Sequence, residues 1–218
     1  MASSPRAALV TGGTGRVGAA VATRLEQEGF RVKAAGRGDG DLARAAAAHA
    51  LVERTAVELG GLDLVVNAAA EGFAPKPVDD LTDADWDAAL GATVKGSFFV
   101  TQAAAAYLRG SKLGLVVMIE DVAAYQPWPS FAPHCAAKAA QAMLTRVLAR
   151  ALAPDVRVCG IAPGPVAVER EQQNRRAAET LLGRTGTPED VAEAVVYLAR
   201  ADFITGSSLV VDGGRLLA

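Results

Sequence analysis

Cysteine and histidine are nearly absent from this chain, with two of each among 218 residues. Cys135 and Cys159 are too few for a disulfide framework. Both sit in apolar runs, where they read as small core residues. Basic clusters are missing too. The net charge is −2 and no Lys/Arg run occurs, so the sequence carries no electrostatic footprint for nucleic acid or an anionic membrane surface. Every uncharged apolar stretch falls short of a membrane-spanning helix, and the opening "MASSPRAALV" lacks the long apolar core of a signal peptide. The expected location is the cytoplasm. No cluster calls for a metal, and no linker or repeat divides the chain.

What is present is the balance of a globular protein, 51% hydrophobic and 21% charged, with length enough for one domain over residues 1–218. Short β-branched runs at 7–10, 31–35, 62–67, 113–119, 156–162 and 208–212 read as strands. Their nearly continuous apolar character is that of parallel strands buried on both faces. Helical patterns fill the gaps at roughly 16–28, 41–60, 83–109, 134–152 and 188–200. "TDADWD" and "TPED" are helix starts, with Thr as N-cap and acids in the first turn. Strand and helix in alternation predict a doubly wound α/β sheet.

"ALVTGGTGRVG" (8–18) joins the first strand to the first helix. Gly12 permits a sharp turn, Gly13 and Thr14 let backbone N–H groups approach a pyrophosphate, and Gly18 allows close packing. The helix start beyond them, at Arg16 and Val17, presents partial positive charge to an anion. The second strand ends at Arg37, where an acid would bind the ribose hydroxyls of NAD. A guanidinium there suits a 2′-phosphate, with Arg16 as a second, so NADP(H) is the expected cofactor. Asp39 and Asp41 stand close by and are open to two readings, helix caps or ribose ligands.

These motifs resemble the short-chain dehydrogenase/reductase family over nearly the whole chain. "TGGTGRVG" resembles the family's cofactor loop, and "LVVNAAA" (64–70) its Asn-Asn-Ala-Gly turn, with Asn67 kept and Ala68 second. "APGPV" (162–166) is similar to its nicotinamide-contacting motif, which implies cofactor roles for Pro163, Gly164 and Val166. "FITGSSLVVDGG" (203–214) is similar to its closing strand. The resemblance implies a Rossmann-like fold and hydride transfer. It also implies an active site of Tyr-x-x-x-Lys, with a Ser thirteen residues before the Tyr and an Asn on the preceding long helix. Only the lysine is kept, as Lys138. His134 stands in the tyrosine's place, Asp121 in the serine's and Thr93 in the asparagine's. Pteridine reductases within the family resemble this chain in an Asp at the serine position and an Arg in the sixth place of the glycine loop, as Asp121 and Arg16. They also keep an Arg matching Arg37.

An imidazolium is a stronger acid than a phenol, and although Lys138 opposes charging it, a carboxylate within reach favours it. The expected catalytic set is an Asp121–His134 acid couple, with Lys138 on the nicotinamide ribose. Against it stands His134 as a helix-start residue behind Pro133. Tyr125, in "YQPWP" (125–129), is expected to line the site, as an aromatic wall rather than an acid. Three functions stay open. They are an NADPH-dependent reductase of a small pterin-like or carbonyl substrate, a non-catalytic relative with a degenerate site, and a non-redox acid–base enzyme.

The family's usual third strand is missing. "DLARAAAAHALVERTAVELGG" reads as one Ala-rich helix of about 28 Å, enough to cross the sheet once. "HALV" (49–52) is the alternative, a stub of that strand. One wall of the adenine pocket is therefore expected to be open and NADPH binding weakened. Residues 166–186, mixed in charge, stand where the family has its substrate lid. By resemblance, helices 83–109 and 134–152 and the closing strand imply a homo-oligomer, a dimer or tetramer.

Overall fold

The computed structural model describes residues 5–71, 74–166 and 177–218. Six strands form one sheet: β1 (Ala7–Thr11), β2 (Arg31–Ala35), β3 (Leu64–Asn67), β4 (Leu115–Ile119), β5 (Arg157–Pro163) and β6 (Ser208–Val211). All neighbours run parallel in the order β2-β1-β3-β4-β5-β6. Every residue of β1, β3 and β4 is buried. On β4 the faces alternate: Leu115, Val117 and Ile119 join one core, Val116 and Met118 the other. Two cores account for the unbroken apolar strand runs.

Helices α1 (Arg16–Gln27) and α6 (Pro188–Arg200) pack together on the first face, where Val21 and Leu25 meet Val191 and Val195. The second face carries α2 (Ala45–Leu59), α4 (Ser97–Arg109) and α5 (Ala132–Leu152). Thr187 caps α6 and shares a reciprocal capping box with Asp190, as "TPED" predicts. Thr82 and Asp85 do the same for α3 (Asp83–Leu90). Cys159 is fully buried, but Cys135 is only half-buried, so only one of the two cysteines is a core residue.

The chain passes from β2 to β3, across β1, through α2 alone. Since β3 lies on the opposite side of β1 from β2, a helix on the opposite face from α1 keeps this connection right-handed. "HALV" lies inside α2, so no strand stub survives. The helix is shorter than the sequence pattern predicts, fifteen residues or about 22 Å, because Arg37–Asp39 forms a 3-10 turn and α2 starts only at Ala45.

The expected helix 83–109 is also not continuous. Between α3 and α4, Gly91–Gly96 winds as a π-helix. Such insertions re-aim side chains and recur at functional sites. Thr93 sits in its middle, buried. No helix among the described residues is long and apolar enough to cross a membrane.

Without a further strand, β2 is an open edge. Lys33 stands at its centre, its Nζ 3.7 Å from Glu58 Oε2 and 4.0 Å from Asp39 Oδ1. A lysine on an edge strand discourages pairing with another chain. Replacing Lys33 by Val is expected to leave the fold intact and to shift the sedimentation profile toward larger species. A profile identical to the wild type would show that the edge is protected by other means.

Candidate active site

At the carboxyl ends of β1 and β3 the strand order reverses, which opens a crevice between the loops that follow. Gly12 adopts φ +65°, and a Cβ there would lie 2.6 Å from the Ala68 carbonyl oxygen. A Cβ on Gly18 would lie 2.2 Å from the oxygen of Gly12. Both positions need the absence of a side chain, one for turn and approach, the other for packing.

A groove of about 670 Å³ runs over this crossing, lined by Gly12, Thr14, Arg37 and Ala68 among others. Four of the expected cofactor residues are thus together. Arg16 is exposed at the first residue of α1, and Val17 packs inward against the core. Gly15 caps α1 without a side-chain acceptor, and the first turn holds no acid, so the free N–H groups of the helix start are left to an anion. Asn67 lies beneath, its Nδ2 donating to Thr101 Oγ1 at 3.1 Å. Pro163, Gly164 and Val166 end β5. A Cβ on Gly164 would lie 2.6 Å from that of Asp212, so the chains of β5 and β6 touch there. Val166 bridges to Gly186, which closes the base of the expected lid segment. Residues 167–176 of that segment lie outside the described residues.

Asp39 caps the 3-10 turn at Arg37–Asp39, and Asp41 holds the turn before α2. Asp39 accepts from the Gly36 N–H at 2.8 Å and Asp41 from the Ala43 N–H at 3.0 Å. The side of the groove expected to be open is lined by Gly40, Asp41 and Leu42. Arg37 is not unpaired: its Nη2 donates to Glu71 Oε1 at 3.0 Å.

At the end of β4 the structure brings Asp121, His134 and Lys138 onto adjoining elements. Asp121 fixes one oxygen by accepting from the Ala123 N–H at 2.8 Å, and its Oδ2 lies 3.4 Å from His134 Nε2. The separation is at the long limit of a hydrogen bond. His134 is buried in the first turn of α5, with Trp128 stacked on its ring at 6.2 Å between centroids and 11° between planes. Trp128 thus backs the imidazole, and the aromatic residue in the wall of the adjoining cavity is Phe131. The Tyr125 hydroxyl instead donates to Glu120 at 3.1 Å, which corrects its placement as a lining residue. Beside His134 a cavity of about 270 Å³ is lined by Thr93, Phe131, Glu71 and the Lys76–Asp85 ion pair.

Lys138 turns inward. Its Nζ donates to the Ile119 carbonyl at 2.7 Å and to Gln141 Oε1 at 3.0 Å. Gln141 Nε2 donates to Ser97 Oγ at 3.0 Å, and Ser97 Oγ to the Thr93 carbonyl at 2.6 Å. A buried chain of hydrogen bonds thus ties the lysine to the π-helix. Burial lowers the Lys138 pKa from 10.5 to about 8, against the opposing charges of Asp121 and Glu120.

Sequence reasoning missed Gln141, although it follows Lys138 by three positions on the same helical face. It also missed Glu120, which is 2% exposed and accepts from Thr145 Oγ1 at 2.7 Å. Alternation along β4 would have sent Glu120 to the face opposite Ile119. The space for its carboxylate comes from Gly160, where a Cβ would lie 2.1 Å from Glu120 Oε1.

Comparison with known proteins bears on the family and the fold. The family model described as enoyl-(acyl carrier protein) reductase matches residues 14–215. The chain is 34% identical over 242 residues to 2-(S)-hydroxypropyl-CoM dehydrogenase 3 of Xanthobacter autotrophicus, covering 94% of each. It is 32% identical over 241 residues to human dehydrogenase/reductase SDR family member 4, covering 96% of this chain and 87% of the relative. Among solved structures, a metagenomic blue fluorescent protein in complex with NADPH superposes with a TM-score of 0.85 at 28% identity. That match covers 96% of this chain and 97% of the other.

The Lys138 pKa sets a stability window. Below pH 8 the ammonium is charged in folded and unfolded chain alike, and its burial cost is fully present. Between about 8 and 10.5 the folded chain releases the proton first, so stability rises with pH. The stability of Lys138→Met relative to the wild type is therefore expected to fall across that window, by up to roughly 3 kcal/mol. Urea denaturation at a series of pH values measures it. A pH-independent difference would mean that Lys138 titrates in its ordinary range.

Proposed function

The chain belongs to the short-chain dehydrogenase/reductase family, and on that footing we propose that it is an NADP(H)-dependent reductase of a small carbonyl or pterin-like substrate. The observation that carries the reading is the Asp121 carboxylate facing the His134 imidazole at 3.4 Å, beside a cavity that His134 itself lines. Bound in the groove, NADPH supplies the hydride. The protein supplies the proton and the geometry.

Asp121 is oriented by the Ala123 N–H and holds the imidazole through Nε2. The carboxylate orients the ring, and the couple is placed to deliver a proton to the substrate atom gaining the electron pair. Trp128 stacks on the ring and restricts it. Lys138 has three donors, two of them committed to Ile119 and Gln141, which leaves one for a ribose hydroxyl. Arg37 and Arg16 favour a 2′-phosphate over an unmodified ribose. The relatives named for alcohol dehydrogenation support carbonyl chemistry. Asp121 and Arg16 are the features that resemble pteridine reductases.

We further propose a homo-oligomer, a dimer or tetramer. Met143 and Val147, one turn apart on α5, are about half exposed and offer an apolar stripe for a second copy.

A second reading, a family member that keeps the nucleotide groove without turnover, draws on one observation: Lys138 faces the core. The two are separated by following NADPH oxidation with a panel of ketones and a dihydropterin. His134→Phe and Asp121→Asn are each expected to lower kcat by about 10²–10⁴, and the double variant by little more than either alone, since the pair acts as a unit. Unchanged turnover in His134→Phe would rule out the couple. NADPH binding without turnover of any substrate would favour the second reading.

A further inference from the structure

Glu71 follows the β3 loop directly and is exposed, yet it stands at a junction. It borders the groove that holds Gly12 and Arg37, and it also borders the cavity of His134. Its carboxylate reaches across the groove from the end of β3 to the guanidinium of Arg37 at the end of β2, at 3.0 Å. With Asp39 and Asp41 each accepting from a backbone N–H, Glu71 is the acid that takes the Arg37 guanidinium.

We propose that Glu71 is a specificity-determining residue that competes with the cofactor's 2′-phosphate for Arg37. The inference rests on the reading of the groove as an NADP(H) site. The pair cancels its own charge and Asp41 adds a further negative charge to the same groove, whereas a phosphate dianion needs a net positive charge there. To engage Arg37 the phosphate must displace the Glu71 carboxylate, and it then lies within a few ångströms of a like charge. A cofactor without the 2′-phosphate meets neither obstacle. Glu71 therefore weakens discrimination toward NADP(H), although Arg37 favours it. The pair is exposed, with Arg37 at 85% and Glu71 at 46% of side-chain accessibility, so the competition is modest and screened by salt.

The test is fluorescence titration of NADPH and NADH into the full chain and into Glu71→Gln, at low and high NaCl. Glu71→Gln is expected to tighten NADPH about three- to tenfold, to leave NADH within about twofold, and to lose most of that gain at high salt. Adding Arg37→Ala to Glu71→Gln is expected to abolish the gain. If the wild type binds NADPH and Glu71→Gln binds it no tighter, or tightens both nucleotides equally, the competition is overturned and the NADP(H) reading stands. If neither protein binds NADPH, both fall.

Discussion

The carboxyl end of the sheet is organised around one buried ammonium group. Lys138 is 5% exposed and donates to the last carbonyl of β4 and to Gln141. A charge in that position is costly unless its donors are satisfied, and satisfying them fixes three elements at once. The Ile119 carbonyl holds α5 against the end of β4. Gln141, one turn along α5, carries the connection to Ser97. Ser97 closes it on the Thr93 carbonyl. Asp121 and His134 lie at the two ends of the segment that this arrangement clamps, so their mutual distance depends on it.

The π-helix is the counterpart of that clamp. The Ser97 hydroxyl bonds to the carbonyl four residues back, a contact that competes with regular helical winding. Gly91 and Gly96 bound the segment, and each would meet the turn before α2 if it bore a side chain: Gly91 the Cβ of Ala43 at 3.3 Å, Gly96 that of Leu42 at 3.1 Å. The shortened crossover therefore packs directly on the π-helix. The turn at 40–42 lines the groove, and the same stretch touches the segment carrying Thr93. The groove at Gly12 and Arg37 and the cavity beside His134 share Glu71 in their walls.

What could be read from the sequence follows the range of the interactions involved. The strands, the crossover through α2 and the Thr82 and Thr187 caps depend on neighbours within a few residues, and all were legible. The glycine turn was legible because the conformation at Gly12 excludes other residues. The break at Gly91–Gly96 was not, since the apolar spacing carries through it and two glycines alone do not announce a π-turn. The partners of Arg37, Lys138 and Tyr125 were hidden for another reason. Glu71 from the β3 loop and Ile119 from β4 reach Arg37 and Lys138 only through the fold, and Glu120, five residues before Tyr125 and just past β4, turns inward into the space left by Gly160. Sequence placed the residues of the site and left their orientations open.

Two of the departures from the expected active site, His134 and Asp121, stand face to face. An imidazole in the tyrosine's place, with an ammonium one turn away pointing at it, would resist protonation and fail as an acid. In the structure the ammonium points at Ile119 and Gln141 instead, and a carboxylate faces the ring. A phenol needs a nearby cation to become acidic enough, whereas an imidazole needs an anion to stay charged. The two substitutions stand as a facing pair, and the proposed reductase reading rests on that arrangement.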